Sequence, residues 1–543
     1  MESVSNFLFE TAFKESLKLK EEGNIKTKLE AFNDALLKYR ESILKLIVKP
    51  QLSFEKDDFF PLKWMIPLND QQQKDALKHL AIVFANCSLC FYKENRMLMA
   101  YYYANFSFWC DPIYSKARFR LINSCIELLY IFEAQKLLDE WRQIEGDTEC
   151  IVDLQKKVSK LIATHSSPNK IVDFLRNELE LSDEQAYTGP IQLVTIAGKG
   201  RGYQATRDIN KGEALLIEKG FTYEESNPHF AYFLGRYLNE RKDLRSLYVN
   251  LFPSEKYPLV DNSEEEERIK FSLKKDPNCL NLPFNDIFTV YQIQKLYTKA
   301  LKNMIKVFDR SKLFGLYPRF SLVNHSCDPN AQVFFNSKGM ILLIARKNIR
   351  QGEEITIDYI MKTVNKGKRQ ELLKPLQFEC SCDRCKEKGT WKDKESKINC
   401  PGKNDVCDNQ LKPIKLDLKD ISNFEITFRN KHSMFCPQYI HLLWGIATTL
   451  AESRNEIKFS EYFFRIAEVA NLIPDYTVLS CLHHLLLTIA IILERDASEK
   501  ELQTLEPFGL PLNITRQLWN DWKAEGFKGK LLPIYGEIPT KKK

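Results

Sequence analysis

Three cysteines packed into six residues restrict this chain more than anything else in it. Cys380, Cys382 and Cys385 form a C-x-C-x-x-C run. Three thiolates leave a tetrahedral Zn²⁺ one ligand short. Cys327, inside the polar, proline-bounded turn Asn324-His325-Ser326-Cys327-Asp328-Pro329-Asn330, is the natural fourth. Such a site would tie two segments far apart in sequence to one ion. Cys400 and Cys407 supply two further thiols, half of a second site. The chain holds 14 cysteines in 543 residues. That is too sparse for a disulfide framework and reads as free thiols plus a metal site.

A length of 543 residues exceeds what one hydrophobic core supports. Apolar residues at 44% and charged residues at 28% are those of ordinary globular domains. The net charge of +7 is spread along the chain, without a basic aromatic face, so direct nucleic-acid binding is not expected. Met1-Glu2-Ser3-Val4 shows no basic stretch leading into an apolar core, so no secretory signal is expected. The longest apolar run, Leu485–Leu493, is about half of what a bilayer span needs and reads as a buried helix.

The first domain, residues 1–165, is rich in helix formers. Leu29, Phe32, Ala35, Leu36, Tyr39 and Ile43 recur at helical spacing. A shift of 34 residues superposes Cys87 on Leu121, Phe91 on Cys125 and Ala100 on Ala134, with Asp111-Pro112 between the copies. This period matches the tetratricopeptide (TPR) repeat, in which small residues let paired helices approach closely. Cys87 and Cys90, three apart on a helix with no second ligand pair nearby, read as core.

Ser166-Ser167-Pro168-Asn169 marks a boundary, and Ile171–Leu181 reads as a short helix. Ile191–Thr195 and Ala214–Glu218 read as strands. Between them the glycines of Gly198-Lys199-Gly200-Arg201-Gly202-Tyr203 permit close backbone approach to a ligand, or simply a plain hairpin. Residues 220–310 read as a helical insert, around Phe230–Leu238 and Val290–Phe308. Ala331–Phe335 and Met340–Ala345 form a hairpin, and Glu354–Tyr359 alternates as a strand. Helices are expected over Tyr439–Leu450 and Tyr462–Leu472. His483 and His484, adjacent on a helix, point apart and belong at a core edge.

The ordered set Gly315-Leu316-Tyr317-Pro318, Ser321-Leu322-Val323-Asn324-His325-Ser326-Cys327-Asp328-Pro329-Asn330, Asp358-Tyr359 and Phe378 through Cys385 resembles the SET-domain protein lysine methyltransferases. It is particularly similar to the SET-and-MYND group, whose TPR-bearing member the N-terminal region also resembles. The resemblance implies an α+β fold with a β-rich SET-type domain at 190–360. A zinc-binding post-SET segment at 361–410 and a C-terminal helical domain at 411–543 would follow. It implies a chain segment passing beneath a loop, a rare exception to unthreaded connections. It implies S-adenosylmethionine as cofactor, held by Gly200, Arg201, Gly202, Tyr203, Ser321, Asn324, His325 and Phe378. Tyr359 would stand at the methyl-transfer point and also contact the donor. The same likeness implies Zn²⁺ on Cys327, Cys380, Cys382 and Cys385. No MYND finger is present, since Gly220–Leu316 contains only Cys279. Protein substrates presenting lysine are the expected partners, with further proteins on the TPR-like helices, no membrane, and a place in the cytoplasm or nucleus. The alternative is a catalytically inactive SET/TPR scaffold.

Overall fold

The computed structural model describes residues 2–47, 64–66, 68–165, 168–176, 178–183, 185–224, 234, 237–238, 248, 304–307, 313–336, 338–360, 366–376, 378–387, 425–426, 437–472, 476–527 and 531. The chain divides into two compact units. Unit 1 comprises Met1–His165, Leu181–Gly189 and Pro228–Asn303; unit 2 comprises Ser166–Glu180, Pro190–Asn227 and Met304–Lys543. Cys279, Cys400, Cys407 and the acidic run 264–267 lie outside the described residues.

Unit 1 is built from consecutive helices: α1 (Glu2–Lys28), α2 (Phe32–Leu44), α3 (Asp70–Lys93), α4 (Met97–Cys110), α5 (Ser115–Glu127), α6 (Ile131–Glu145) and α7 (Glu149–His165). Helices α4 and α6 open 34 residues apart, at Met97 and Ile131, whereas α3 and α5 open 45 residues apart, at Asp70 and Ser115. The matched residues Cys87, Leu121, Phe91, Cys125, Ala100 and Ala134 are all buried. Cys87 and Cys90 sit in the core shared by α1–α4. Helix α3 begins on a capping box in which Asn69 and Gln72 bond each other's backbone. A polar knot crosses this core: the Ser16 hydroxyl lies 2.8 Å from both Ser42 Oγ and His79 Nε2.

In unit 2, α8 (Pro168–Leu175) precedes the strands β2 (Ile191–Ile196) and β3 (Gly200–Ala205), which pair antiparallel; β1 (Ala186–Thr188) belongs to unit 1. Strand β10 (Met340–Ala345) lies between β4 (Ala214–Lys219) and β9 (Ala331–Phe335), antiparallel to both. Every residue of β9 and β10 is buried, which explains why Gln332 is the one polar residue in the two strands.

The two ends of the expected helical insert are instead strands. β5 (Phe221–Glu224) and β6 (Met304–Val307) both pair with β7 (Leu313–Leu316). The helical reading of Val290–Phe308 thus fails over its last residues. Met-Ile-Lys-Val is equally compatible with both structures, and the ladder to β7 decides. Phe230–Leu238 falls mostly outside the described residues. The strand expected over Glu354–Tyr359 shortens to β11 (Thr356–Ile357); before it, Glu354 makes only an isolated antiparallel bridge to Gln204.

One aromatic ring ties these sheets. Tyr317 is fully buried and donates its hydroxyl to Gly339 O at 2.8 Å. A Cβ on Gly220 or Gly315 would stand 2.4 or 2.3 Å from that ring, so both positions must be glycine. Further on come α9 (Lys366–Leu373), α10 (Pro437–Glu452), α11 (Glu456–Leu472), α12 (Tyr476–Ile491), α13 (Glu499–Gln503) and α14 (Leu512–Ala524). His483 is buried and His484 exposed, in keeping with opposite faces of α12. The Pro511 ring packs against Gly212, and Gly509 closes on Ala345 O, so this C-terminal segment rests on the turns beside β4 and β10. Among the described residues no helix is long and apolar enough to cross a membrane.

Candidate functional site

The turn from Arg319 to Leu322 is set by a buried carboxylate. Glu218, at the end of apolar β4, accepts the backbone N–H groups of Arg319 at 3.0 Å and Phe320 at 2.9 Å, and Arg319 Nη1 at 3.2 Å. Burial raises the Glu218 carboxyl above its usual range, with the Arg319 charge opposing. The turn delivers the chain into β8 (Asn324–His325), which pairs in parallel with β11: Asn324 opposite Thr356, His325 opposite Ile357.

Asn330 clasps the approach to β11. Its Nδ2 donates to Glu353 Oε1 at 2.9 Å and Glu354 O at 2.8 Å, while its Oδ1 accepts the Thr356 N–H at 2.9 Å. All of its amide capacity is thereby directed at one remote strand.

Asn324 gathers two further segments. Its Nδ2 donates to Arg201 O at 3.1 Å and to Glu354 Oε1 at 2.9 Å. Glu354 also holds the Lys199 ammonium at 2.5 Å, and Ile355 N–H donates to Tyr203 O at 2.8 Å. Strand β3 therefore lies along both β8 and the residues before β11. Gly202 permits it: a Cβ there would come within 2.5 Å of Asn324 Nδ2 and 2.9 Å of Ile196 Cγ1. Gly198 and Gly200 adopt φ of +73° and +79° in the β2–β3 turn, with open space where a side chain would stand.

An aromatic group lies next to this junction. His325 and Tyr359 rings are 5.2 Å apart, His325 and Phe378 5.8 Å, and Tyr359 and Phe378 6.2 Å with an edge-to-face angle of 88°. Tyr359 and Phe378 are 37% and 38% exposed, so part of each ring is open to solvent. The Tyr359 hydroxyl end is enclosed and donates to Val323 O at 2.6 Å. That burial, with the Glu354 charge nearby, pushes the phenol above its ordinary range, so it is protonated at neutral pH.

Behind the rings sit the four thiols. The Sγ atoms of Cys327, Cys380, Cys382 and Cys385 all lie within 4.8 Å of one another. Cys327 Sγ is 3.8 Å from Cys380 Sγ and 3.5 Å from Cys385 Sγ, too far for disulfides. A tetrahedron of sulfurs about 2.3 Å from a zinc ion has edges of about 3.8 Å. The spacing fits one ion. Leu373, Ile360 and Leu376 pack around the cluster and keep it dry.

Helix α9 braces it. Gln370 Nε2 donates to Cys380 O at 2.9 Å and approaches Cys385 Sγ at 3.5 Å, while its Oε1 accepts the Cys380 N–H. Arg384 Nη1 donates to Cys327 O at 3.1 Å, and Arg369 Nη2 lies 3.7 Å from Cys385 Sγ. Both guanidiniums are buried. Four thiolates around a dication carry a net double negative charge, and two buried cations oppose it.

Arg201, Gly202, Asn324, His325, Tyr359, Phe378 and the four cysteines are thus brought into one connected region. Gly200 and Tyr203 enter through β3. Ser321 stands apart, with its hydroxyl donating to Tyr317 O at 2.7 Å. Sequence reasoning missed Glu218, Asn330, Glu354, Arg369, Gln370 and Arg384. For Glu218 there was a signal, an acid closing the apolar run Ala214–Ile217. The others are polar residues in polar stretches, where nothing local sets them apart.

Residues 200–360 match the family model described as "SET domain". The mouse protein named Histone-lysine N-methyltransferase SMYD3 is 46% identical over 72 residues, 13% of this chain and 17% of that protein. Histone-lysine N-methyltransferase ASHR1 of Arabidopsis thaliana is 40% identical over 102 residues, 18% of this chain and 21% of the relative. SET domain and MYND-type zinc finger protein 6 of Schizosaccharomyces pombe is 38% identical over 114 residues, 20% and 23% of the two chains. The matched segments thus span 17 to 23% of these relatives' own length.

Proposed function

Because residues 200–360 carry a SET domain similar to those of the SET-and-MYND proteins, we propose that the chain is an S-adenosylmethionine-dependent protein-lysine N-methyltransferase. One observation supports this reading above the rest. Segments remote in sequence, 199–204, 324–325, 354–359 and 378–385, meet around one partly exposed aromatic group. A folded chain has no structural need to bring glycine-bearing β3, an Asn-His pair and a half-open tyrosine–phenylalanine pair to one place.

S-adenosylmethionine, when bound, supplies a methyl group already activated on a cationic sulfur, so no covalent enzyme intermediate is needed. The task left to the chain is orientation and exclusion of water. Gly200–Tyr203, Asn324 and the His325 backbone would hold the donor. The Ser321 hydroxyl is engaged with Tyr317 O, so Ser321 would contribute through backbone. Tyr359 and Phe378 would flank the incoming lysine, disfavouring its charged ammonium and leaving the neutral amine to attack. The new N–C bond forms as the S–C bond breaks, and the amine proton leaves to solvent. Tyr359, held protonated with its hydroxyl fixed on Val323 O, would act as a fixed dipole and wall rather than as a base.

The repeated helices of unit 1, TPR-like in period, would select protein partners. The C-terminal helices would help wall a substrate cleft, and the protein would work in the cytoplasm or nucleus. Incubation of the purified chain with labelled S-adenosylmethionine and a cell lysate, followed by mass-spectrometric mapping, tests the proposal. Label on lysine side chains supports it. No incorporation, together with no calorimetric heat on titrating the donor, leaves a non-catalytic scaffold.

A further inference from the structure

We infer that the His325 ring is a positioning residue that couples the four-thiol centre to Tyr359. The imidazole is buried, and each ring nitrogen has a partner. The Tyr359 backbone N–H donates to Nδ1 at 3.1 Å. An amide N–H is only a donor, so Nδ1 carries the lone pair. In the neutral ring the proton is then on Nε2. Nε2 faces Cys327 Sγ at 3.2 Å and donates to it. Asp358 Oδ1, 3.8 Å from Nδ1, is beyond hydrogen-bond distance and accepts the Ile360 N–H instead.

A path of two hydrogen bonds therefore runs from a metal-binding sulfur, across one rigid ring, to the backbone of the residue whose side chain faces the proposed transfer point. The ring can do this only in one tautomer, and that tautomer is fixed at both ends. A donor to a thiolate lowers the energy of its anionic, metal-binding form, and the bound ion in turn fixes where Cys327, and hence His325, stands. The ring has no polar atom left for a donor molecule, so any contact of His325 with S-adenosylmethionine runs through its backbone.

The test separates the two ends of the ring. In His325→Gln the side-chain amide nitrogen reaches the place of Nε2 and keeps the donor to Cys327. In His325→Asn the amide oxygen reaches the place of Nδ1 and keeps the acceptor for Tyr359. Zinc affinity is measured by chelator competition on the full chain, and the cobalt-loaded protein reports sulfur donation through its thiolate charge-transfer band. The expected result is that His325→Asn and His325→Ala weaken zinc binding by about 10- to 100-fold and shift the cobalt band, whereas His325→Gln does neither. Equal zinc affinity and an unchanged band in all three variants overturn the coupling.

The activity arm, which alone rests on the methyltransferase reading, uses saturating zinc. There His325→Gln is expected to lower kcat with little change in KM. Wild-type kcat in His325→Gln also overturns the coupling. Zinc and cobalt results that depend on the ring, in a chain that transfers no methyl group, support the coupling at the metal end and remove the reading of function instead.

Discussion

Gly202 and Asn324 stand so close that a methyl group on the first would lie 2.5 Å from the amide nitrogen of the second. The contact is where β3 meets β8, and Asn324 uses the same nitrogen to reach Arg201 O and Glu354. Gly202→Ala must separate the strands or displace the Asn324 side chain. The expected cost is about 1–3 kcal/mol of stability. A larger loss is expected in donor affinity, because the displaced amide no longer orders Arg201 and Glu354. Urea denaturation and calorimetric titration with S-adenosylmethionine on the same preparation check both.

Glu218 is the clearest test of how the turn at Arg319 is built. Glu218→Ala leaves the Arg319 guanidinium and two backbone N–H groups without their acceptor in a buried place. The loss is expected to be about 3–5 kcal/mol, since it breaks a buried ion pair and removes the acceptor of two buried N–H groups. Glu218→Gln, which keeps one acceptor oxygen, is expected to lose less. Denaturation midpoints of the two variants decide this.

Much of this architecture was readable beforehand, for identifiable reasons. The hairpin Ala331–Ala345 was legible because its strands are buried on both faces and their turn is Asn-Ser-Lys-Gly. The thiol cluster was legible because tetrahedral coordination demands a fourth ligand beyond Cys380, Cys382 and Cys385. The helical, buried character of Ala100 and Ala134 was legible because small apolar residues recur there at helical spacing. The roles of Asn330 and Glu354 were not legible, because each acts on residues at least 23 positions away that nothing local identifies. The strand Met304–Val307 was read as helix because its partner, β7, is what makes it a strand. The double engagement of His325 was hidden too: the motif shows a histidine beside a cysteine, but not which ring nitrogen faces which group.

Metal content gives a third expectation. One zinc per chain is expected by elemental analysis, lost with a strong chelator or in Cys380→Ser. Removal should lower the thermal midpoint by several degrees, because the ion no longer ties Cys327 to the Cys380–Cys385 segment and four thiol groups face one another in an apolar shell. An unchanged midpoint after complete removal contradicts a structural ion at this site.

In unit 1, His79 makes a pH prediction. Burial pulls its folded pKa from 6.5 down to about 4. The unfolded chain therefore takes up the proton first as pH falls, and protonation favours unfolding. This residue's contribution is present in full above pH 6.5, shrinks as pH falls toward 4, and is lost below that, for a total of roughly 3 kcal/mol. The pH dependence of urea midpoints, compared between the wild type and His79→Gln, isolates the residue. The variant is expected to lose less stability between pH 7 and pH 4.

The central claim is that Tyr359 faces the point of methyl transfer, and it is tested most directly by the transfer rate of Tyr359→Phe. The change removes one hydroxyl and its bond to Val323 O, a stability cost of about 1 kcal/mol, and leaves the ring beside Phe378. With labelled S-adenosylmethionine and a mapped lysine substrate at saturation, kcat should fall on the order of a hundredfold while donor affinity stays within a few-fold of wild type. Transfer at the wild-type rate by a folded, zinc-loaded Tyr359→Phe protein would contradict the account.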